Sequence, residues 1–132
     1  MLTHAISPLP DAVEEVIHKV IGCAPSVHTA LGAGYVEPVY HKAMKIELRH
    51  QDLRYETEHV VQIRYRDEVI HGHRVDLVVE NVVVVELKAV ERLDLIHRAQ
   101  LVSYLRAMRL NAGFLINFHT DHLKGSIRRV VV

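Results

Sequence analysis

Residues 74–88 read Arg-Val-Asp-Leu-Val-Val-Glu-Asn-Val-Val-Val-Val-Glu-Leu-Lys, so Asp76, Glu86 and Lys88 interrupt stretches that are otherwise apolar. Strands this apolar are normally covered on both faces, and an unpaired buried charge there costs several kcal/mol. Something must compensate the carboxylates. A divalent cation held between Asp76 and Glu86 would do so, and hard oxygen ligands suit Mg²⁺ or Mn²⁺. The competing reading is an internal ion pair, Asp76 or Glu86 with Lys88 or Arg74, on a solvated sheet face.

Whether the two carboxylates can meet depends on the turn between them. Opposed residues of an antiparallel pair share a face, and successive residues alternate faces. A two-residue loop at Glu80-Asn81 opposes Val75 to Glu86 and sends Asp76 to the other face. A three-residue loop, Glu80-Asn81-Val82, opposes Asp76 to Glu86 and Arg74 to Lys88. It also gathers Val75, Leu77, Val79, Val83, Val85 and Leu87 on one apolar face. This register separates polar from apolar groups and is the one expected, with Asn81 suited to the left-handed backbone such loops need.

The elements that must hold this hairpin follow from periodicity. Apolar residues at helical spacing from Val13 to Leu31 predict a helix over 12–31, with Asp11 as N-cap and a kink or split at Pro25. After Gly32-Ala33-Gly34 a second helix runs from Glu37 to His50, with Pro38 in its first turn. His59–Tyr65 alternates as a strand, Arg66-Asp67-Glu68 forms a turn, and Val69–Val79 and Val82–Lys88 continue as strands. Asp94 caps a third helix reaching Arg109, with Ile96, Ala99, Val102, Leu105 and Met108 on its buried side and Asn111-Ala112-Gly113 ending it. Phe114–Phe118 and Ile127–Val132 are the last strands. The order is ααβββαββ, an α/β domain with a mixed central sheet.

Composition bounds the remaining choices. The 132 residues are 49% hydrophobic and 24% charged, which excludes a disordered chain and fits one domain, with 1–11 as an N-terminal extension. Sixteen Lys and Arg balance sixteen Asp and Glu, excluding a protein that grips nucleic acid by net charge alone. The longest apolar run, Val82–Val85, is far too short to span a bilayer, and no secretory signal is readable. The single cysteine, Cys23, excludes an internal disulfide and suits the reducing cytoplasm; on its apolar helix face it reads as inert core.

Four ordered motifs carry a family resemblance: Gly34-Tyr35-Val36-Glu37-Pro38-Val39-Tyr40; Asp76; Glu86-Leu87-Lys88; and Gln100-Leu101-Val102-Ser103-Tyr104. Together they resemble the PD-(D/E)xK phosphodiesterase superfamily, and within it the small bacterial group called GxxExxY proteins. Val75 stands where the superfamily usually has proline. The resemblance spans residues 12–132 and implies a restriction-endonuclease-like core, a four-stranded mixed sheet flanked by helices. It implies metal-dependent cleavage of phosphodiester bonds, in DNA ahead of RNA. By that resemblance Asp76, Glu86 and the Leu87 carbonyl hold Mg²⁺ or Mn²⁺, with Glu37 as a further ligand. Lys88 orients or deprotonates the attacking water or steadies charge in the transition state, Gln100 orders the metal's water or Lys88, and Tyr104 touches phosphate. Gly34 supplies a turn into the helix; Tyr40 is as well explained by core packing as by substrate contact.

Two other readings are compatible with these residues: a binding module that keeps the fold without turnover, and a small-nucleotide phosphodiesterase. The apolar strands of so small a domain would also suit a homodimer. The 11 histidines are scattered, and His71-Gly72-His73 lacks a third partner for zinc. Arg98, Arg106, Arg109, Lys124, Arg128 and Arg129 form either a basic surface or ordinary solvated faces.

Overall fold

The computed structural model describes residues 9–132; the expected N-terminal extension lies largely outside them. Helices α1 (Asp11–Leu31) and α2 (Glu37–His50) precede strands β1 (Tyr55–Tyr65), β2 (Glu68–Val79) and β3 (Val83–Lys88). Helix α3 (Leu95–Met108), β4 (Ala112–Asn117), a 3₁₀ turn (Leu123–Ser126) and β5 (Ile127–Val131) complete the order. The strands form one mixed sheet, β1-β2-β3-β4-β5, the five strands of the expected order, where the family resemblance implied a core of four. Neighbours are antiparallel except β3 and β4, which α3 joins as a crossover.

Each sheet face buries its own cluster. Leu77, Val79, Val83, Val85 and Leu87 pack with Ile17, Val20, Tyr40, Met44 and Leu48 of α1 and α2. Val78, Val84, Leu115 and Val130 pack with Leu101 and Leu105 of α3. Helix α3 buries Leu105, with Val102 and Met108 partly buried, as expected, but turns Leu101 inward and leaves Ala99 exposed and Ile96 57% exposed. The cause is Gly113 beneath it: Leu101 lies 3.1 Å from where a Gly113 Cβ would be, so the helix settles with Leu101 directly on the sheet.

Helix boundaries also shift for local reasons. α1 runs through Pro25 without a break, its flanks anchored by buried Cys23, Ala24 and Val27 although the Ile21 carbonyl loses its helical donor. Asp11 is the first helical residue rather than the cap, which is Pro10. Asp94 does cap α3, its N–H donating to His97 Nδ1 (3.0 Å), while Arg109 in a left-handed conformation (φ 57°) ends the helix before Ala112 and Gly113 enter β4. β1 starts at Tyr55, because Glu56-Thr57-Glu58 hides strand geometry behind polar side chains.

The hairpin adopts the expected register: Leu77 opposes Val85, Val78 opposes Val84 and Val79 opposes Val83, with Glu80 (φ 51°) and Asn81 (φ 58°) left-handed in the three-residue turn. One expectation fails. Val75 leaves the Leu77 face and joins Val61 in the α3-side cluster. The alternation breaks at Asp76, in step with Glu58 on the paired strand, whose φ of 53° rotates β1 between the pairs Thr57–Leu77 and His59–Val75. The phase of both strands flips there, at the position of a candidate ligand.

Candidate metal centre

Beyond the pair Leu77–Val85, β2 and β3 stop exchanging backbone hydrogen bonds, and the two carboxylates take over. The Asp76 N–H donates to Glu86 Oε1 (3.2 Å), and the Leu87 N–H donates to Asp76 Oδ2 (2.8 Å). Each side chain is thereby fixed to the opposite strand by one oxygen, leaving Asp76 Oδ1 and Glu86 Oε2 for another partner. Lys88 Nζ stands 4.0 Å from Glu86 Oε2. The Lys88 carbonyl accepts from Phe118 N–H on the β4 side, so by strand alternation the Leu87 carbonyl faces β2 and the fork.

Helix α2 closes the site from the other side. His41 Nε2 lies 3.2 Å from Glu37 Oε1, one turn away, and 3.5 Å from Asp76 Oδ2. These three ligand atoms lie within 4.8 Å of one another, the one such three-residue group among the described residues. Glu37, His41, Lys42, Lys45, Glu58 and Asp76 line a cavity of about 510 Å³. Tyr40 sets where α2 begins: its hydroxyl donates to the Gly32 carbonyl (2.6 Å) and accepts from Tyr35 N–H (3.2 Å), and its ring stacks on Phe118 at 4.6 Å. Tyr40 is thus a buried fastening between the interhelix turn and the sheet. The left-handed glycine of that turn is Gly32 (φ 74°), not Gly34.

The electrostatics explain what the fork would attract. Glu86 is 4% exposed, and burial first, then the Asp76 charge, push its carboxyl up to about 8. Burial likewise raises Asp76, against the opposing pull of the Leu87 N–H and His41. Two partly desolvated carboxylates that repel one another favour a cation between them. A divalent ion fits this donor set, which offers carboxylate oxygens and one imidazole nitrogen.

On the α3 side, Tyr104 stacks on His73, rings 5.2 Å apart and nearly parallel. Its hydroxyl is held protonated to higher pH by burial and then by the Glu86 charge, so it stands in the electrostatic reach of the fork. Gln100, one turn earlier, is exposed and its side chain makes no hydrogen bond among the described residues. The fold thus brings Glu37, Asp76, Glu86, Leu87 and Lys88 together, sets Tyr104 at the rim, and leaves Gln100 facing solvent. His71 and His73 flank the β2 bulge opposite Val61, and His73 is taken up by Tyr104. Cys23 is buried as expected, its thiol pushed up to about 11 by burial and then Glu47.

Sequence reasoning missed two residues here. His41 carried a signal, its place four residues after Glu37 on one helix. Asn117 is buried beside Lys88 in the β3–β4 ladder; its amide accepts from Val90 N–H (3.1 Å) and donates to the Val90 carbonyl (2.8 Å), fixing the chain that leaves β3. An amide inside Phe-Leu-Ile-Asn-Phe was the available sign.

The family model described as PD-(D/E)XK nuclease superfamily matches residues 14–130. No curated protein and no solved structure matches the chain.

Proposed function

The chain belongs to the PD-(D/E)XK nuclease superfamily, and from that premise we propose that it hydrolyses phosphodiester bonds of nucleic acid, DNA ahead of RNA, with Mg²⁺ or Mn²⁺ in the β2–β3 fork. Within the superfamily we place it in the GxxExxY group, on Gly34, Glu37 and Tyr40. The observation that carries the reading is the pair of a buried Glu86 and a half-buried Asp76, with Lys88 4.0 Å from the Glu86 carboxylate. Asp76, Glu86 and the Leu87 carbonyl would hold the ion, with Glu37 and His41 reaching it directly or through water. The bound ion would supply charge neutralisation at the phosphate and a more acidic water. Water adds to phosphorus as the P–O ester bond breaks, and Lys88 orients that water and steadies the charge that builds on the phosphoryl oxygens. No described helix is long and apolar enough to cross a membrane, and the lone buried Cys23 suits the cytoplasm.

Incubation with DNA, RNA and short nucleotides in Mn²⁺, Mg²⁺ or EDTA tests this reading. Metal-dependent cleavage that EDTA stops is the expected result; no cleavage of any of them in either metal overturns it.

Gln100 has its own test, since its exposure leaves it available only to a substrate or a bound water. Gln100→Ala should lower kcat severalfold while leaving the melting temperature unchanged, and Tyr104→Phe should lower kcat with the metal response intact. A Gln100→Ala protein with wild-type kcat shrinks the site to the hairpin and α2.

A further inference from the structure

Four arginines from three separate stretches of the chain meet at the start of α3. Arg92, Arg98, Arg128 and Arg129 line a cavity of about 480 Å³ floored by Leu115 and Val130. Arg129 is engaged from the other sheet face, where its guanidinium pairs with Glu14, and Arg128 donates to the Gly125 carbonyl. The Arg92 and Arg98 side chains make no hydrogen bond or ion pair among the described residues. Asp94 is the acidic lining residue; it stands at the N-cap of α3, its N–H donating to His97 Nδ1, and one carboxylate faces the four guanidiniums.

The sheet register ties this cavity to the fork. Glu86 is registered with Leu115, and Leu115 with Arg128. Residues in register on neighbouring strands share a face, so Glu86, Leu115 and Arg128 form one row on the α3 side. Two interstrand steps separate the ends of that row by about 10 Å. At the cavity's edge stands Leu95, 88% exposed and the most exposed large hydrophobic side chain among the described residues, with Ile96 next to it. Unpaired guanidiniums beside bare aliphatic side chains match a ligand that alternates phosphates with flat apolar bases.

We infer that the Arg92–Arg98–Arg128 cavity is a phosphate subsite that holds a non-scissile phosphate of the bound nucleic-acid strand. It rests on the proposed hydrolase reading in that the scissile phosphate is taken to sit at the fork. It narrows the substrate to a strand with at least two phosphates, since a mononucleotide with one phosphate cannot fill both the fork and the subsite. Arg106 and Arg109, at the far end of α3, do not belong to it.

The test measures binding of a 3′-labelled single-stranded DNA oligonucleotide by fluorescence anisotropy in EDTA, where no turnover intervenes. The R92A/R98A double variant should bind about tenfold more weakly at low salt, and its log Kd against log salt should flatten by about 0.7 for each phosphate the variant no longer neutralises. R106A/R109A should stay within about twofold of wild type. Equal weakening with 5′-hydroxyl and 5′-phosphate strands identifies an internal diester as the ligand; weakening confined to the 5′-phosphate strand assigns the subsite to a terminal phosphate. Unchanged affinity and slope in R92A/R98A overturn the subsite, as does an equal loss in R106A/R109A. The cleavage assay separates the two readings. Weakened binding with no cleavage by wild type keeps the subsite and removes the hydrolase, while metal-dependent cleavage with unaltered binding in R92A/R98A does the reverse.

Discussion

Asp76→Asn is expected to stay folded and lose cleavage by roughly 10³-fold or more, because it removes a carboxylate charge from the ion and little else. The substituted amide keeps a carbonyl oxygen where Asp76 Oδ2 now accepts the Leu87 N–H, so the fork keeps its internal bond. Lys88→Ala should act differently. Its ammonium stands 4.0 Å from Glu86 Oε2 and offers no oxygen of its own to the ion, so the variant should keep its metal-induced rise in melting temperature. Its cleavage should still fall by about 10²–10³-fold, the usual loss when a group steadying transition-state charge is removed. Rates at saturating substrate, measured beside melts with and without Mn²⁺, separate a ligand from a group that acts on the reacting phosphate. Wild-type cleavage by Asp76→Asn would remove the fork from the chemistry.

Glu86→Gln should make the metal-free protein more stable at pH 8.5 by a few kcal/mol, although it removes a ligand. Glu86 titrates near 8 in the fold, against an ordinary value of 4.5. The folded state therefore binds more protons than the unfolded chain between those values, and stability falls as pH rises through that window. The loss is absent below about 4.5 and complete above about 8. Glutamine is neutral throughout and escapes it, while still offering an oxygen to the Asp76 N–H. Urea unfolding in EDTA at pH 5 and pH 8.5 should show the two proteins nearly equal at the lower pH and separated at the higher. Mn²⁺ should close the gap from the wild-type side alone, since a bound cation stabilises only the protein with both carboxylates. Equal stabilities at both pH values would show that the pair is not strained.

The hairpin was legible because its polar and apolar residues admit one economical register, and α2 because Glu37-Pro38 and His50 bracket a clear stripe. Val75 was not. Its face depends on Glu58 taking a left-handed conformation in mid-strand, and a glutamate carries no local sign of that, as glycine or asparagine would. Helix α3 read as one stripe, Ile96-Ala99-Val102-Leu105, and the inward place of Leu101 was hidden because it is seated on the bare backbone of Gly113, a long-range neighbour. His41 was hidden by abundance among so many histidines, and the gathering of Arg92, Arg98 and Arg128 needed the register of β4 with β5, which no local pattern contains.

The fastening made by Tyr40 bears on how such sequences drift. Selection for folding alone would keep Tyr40 and Gly32, because the hydroxyl ties the interhelix turn whether or not a bond is ever cleaved. Selection for turnover alone keeps Lys88, which stands at the open end of the fork. A descendant that abandons chemistry but retains its shape would still display the tyrosine and let the lysine wander. In any comparison among distant members, the tyrosine would mark the architecture, and under the proposed hydrolysis the lysine would mark turnover.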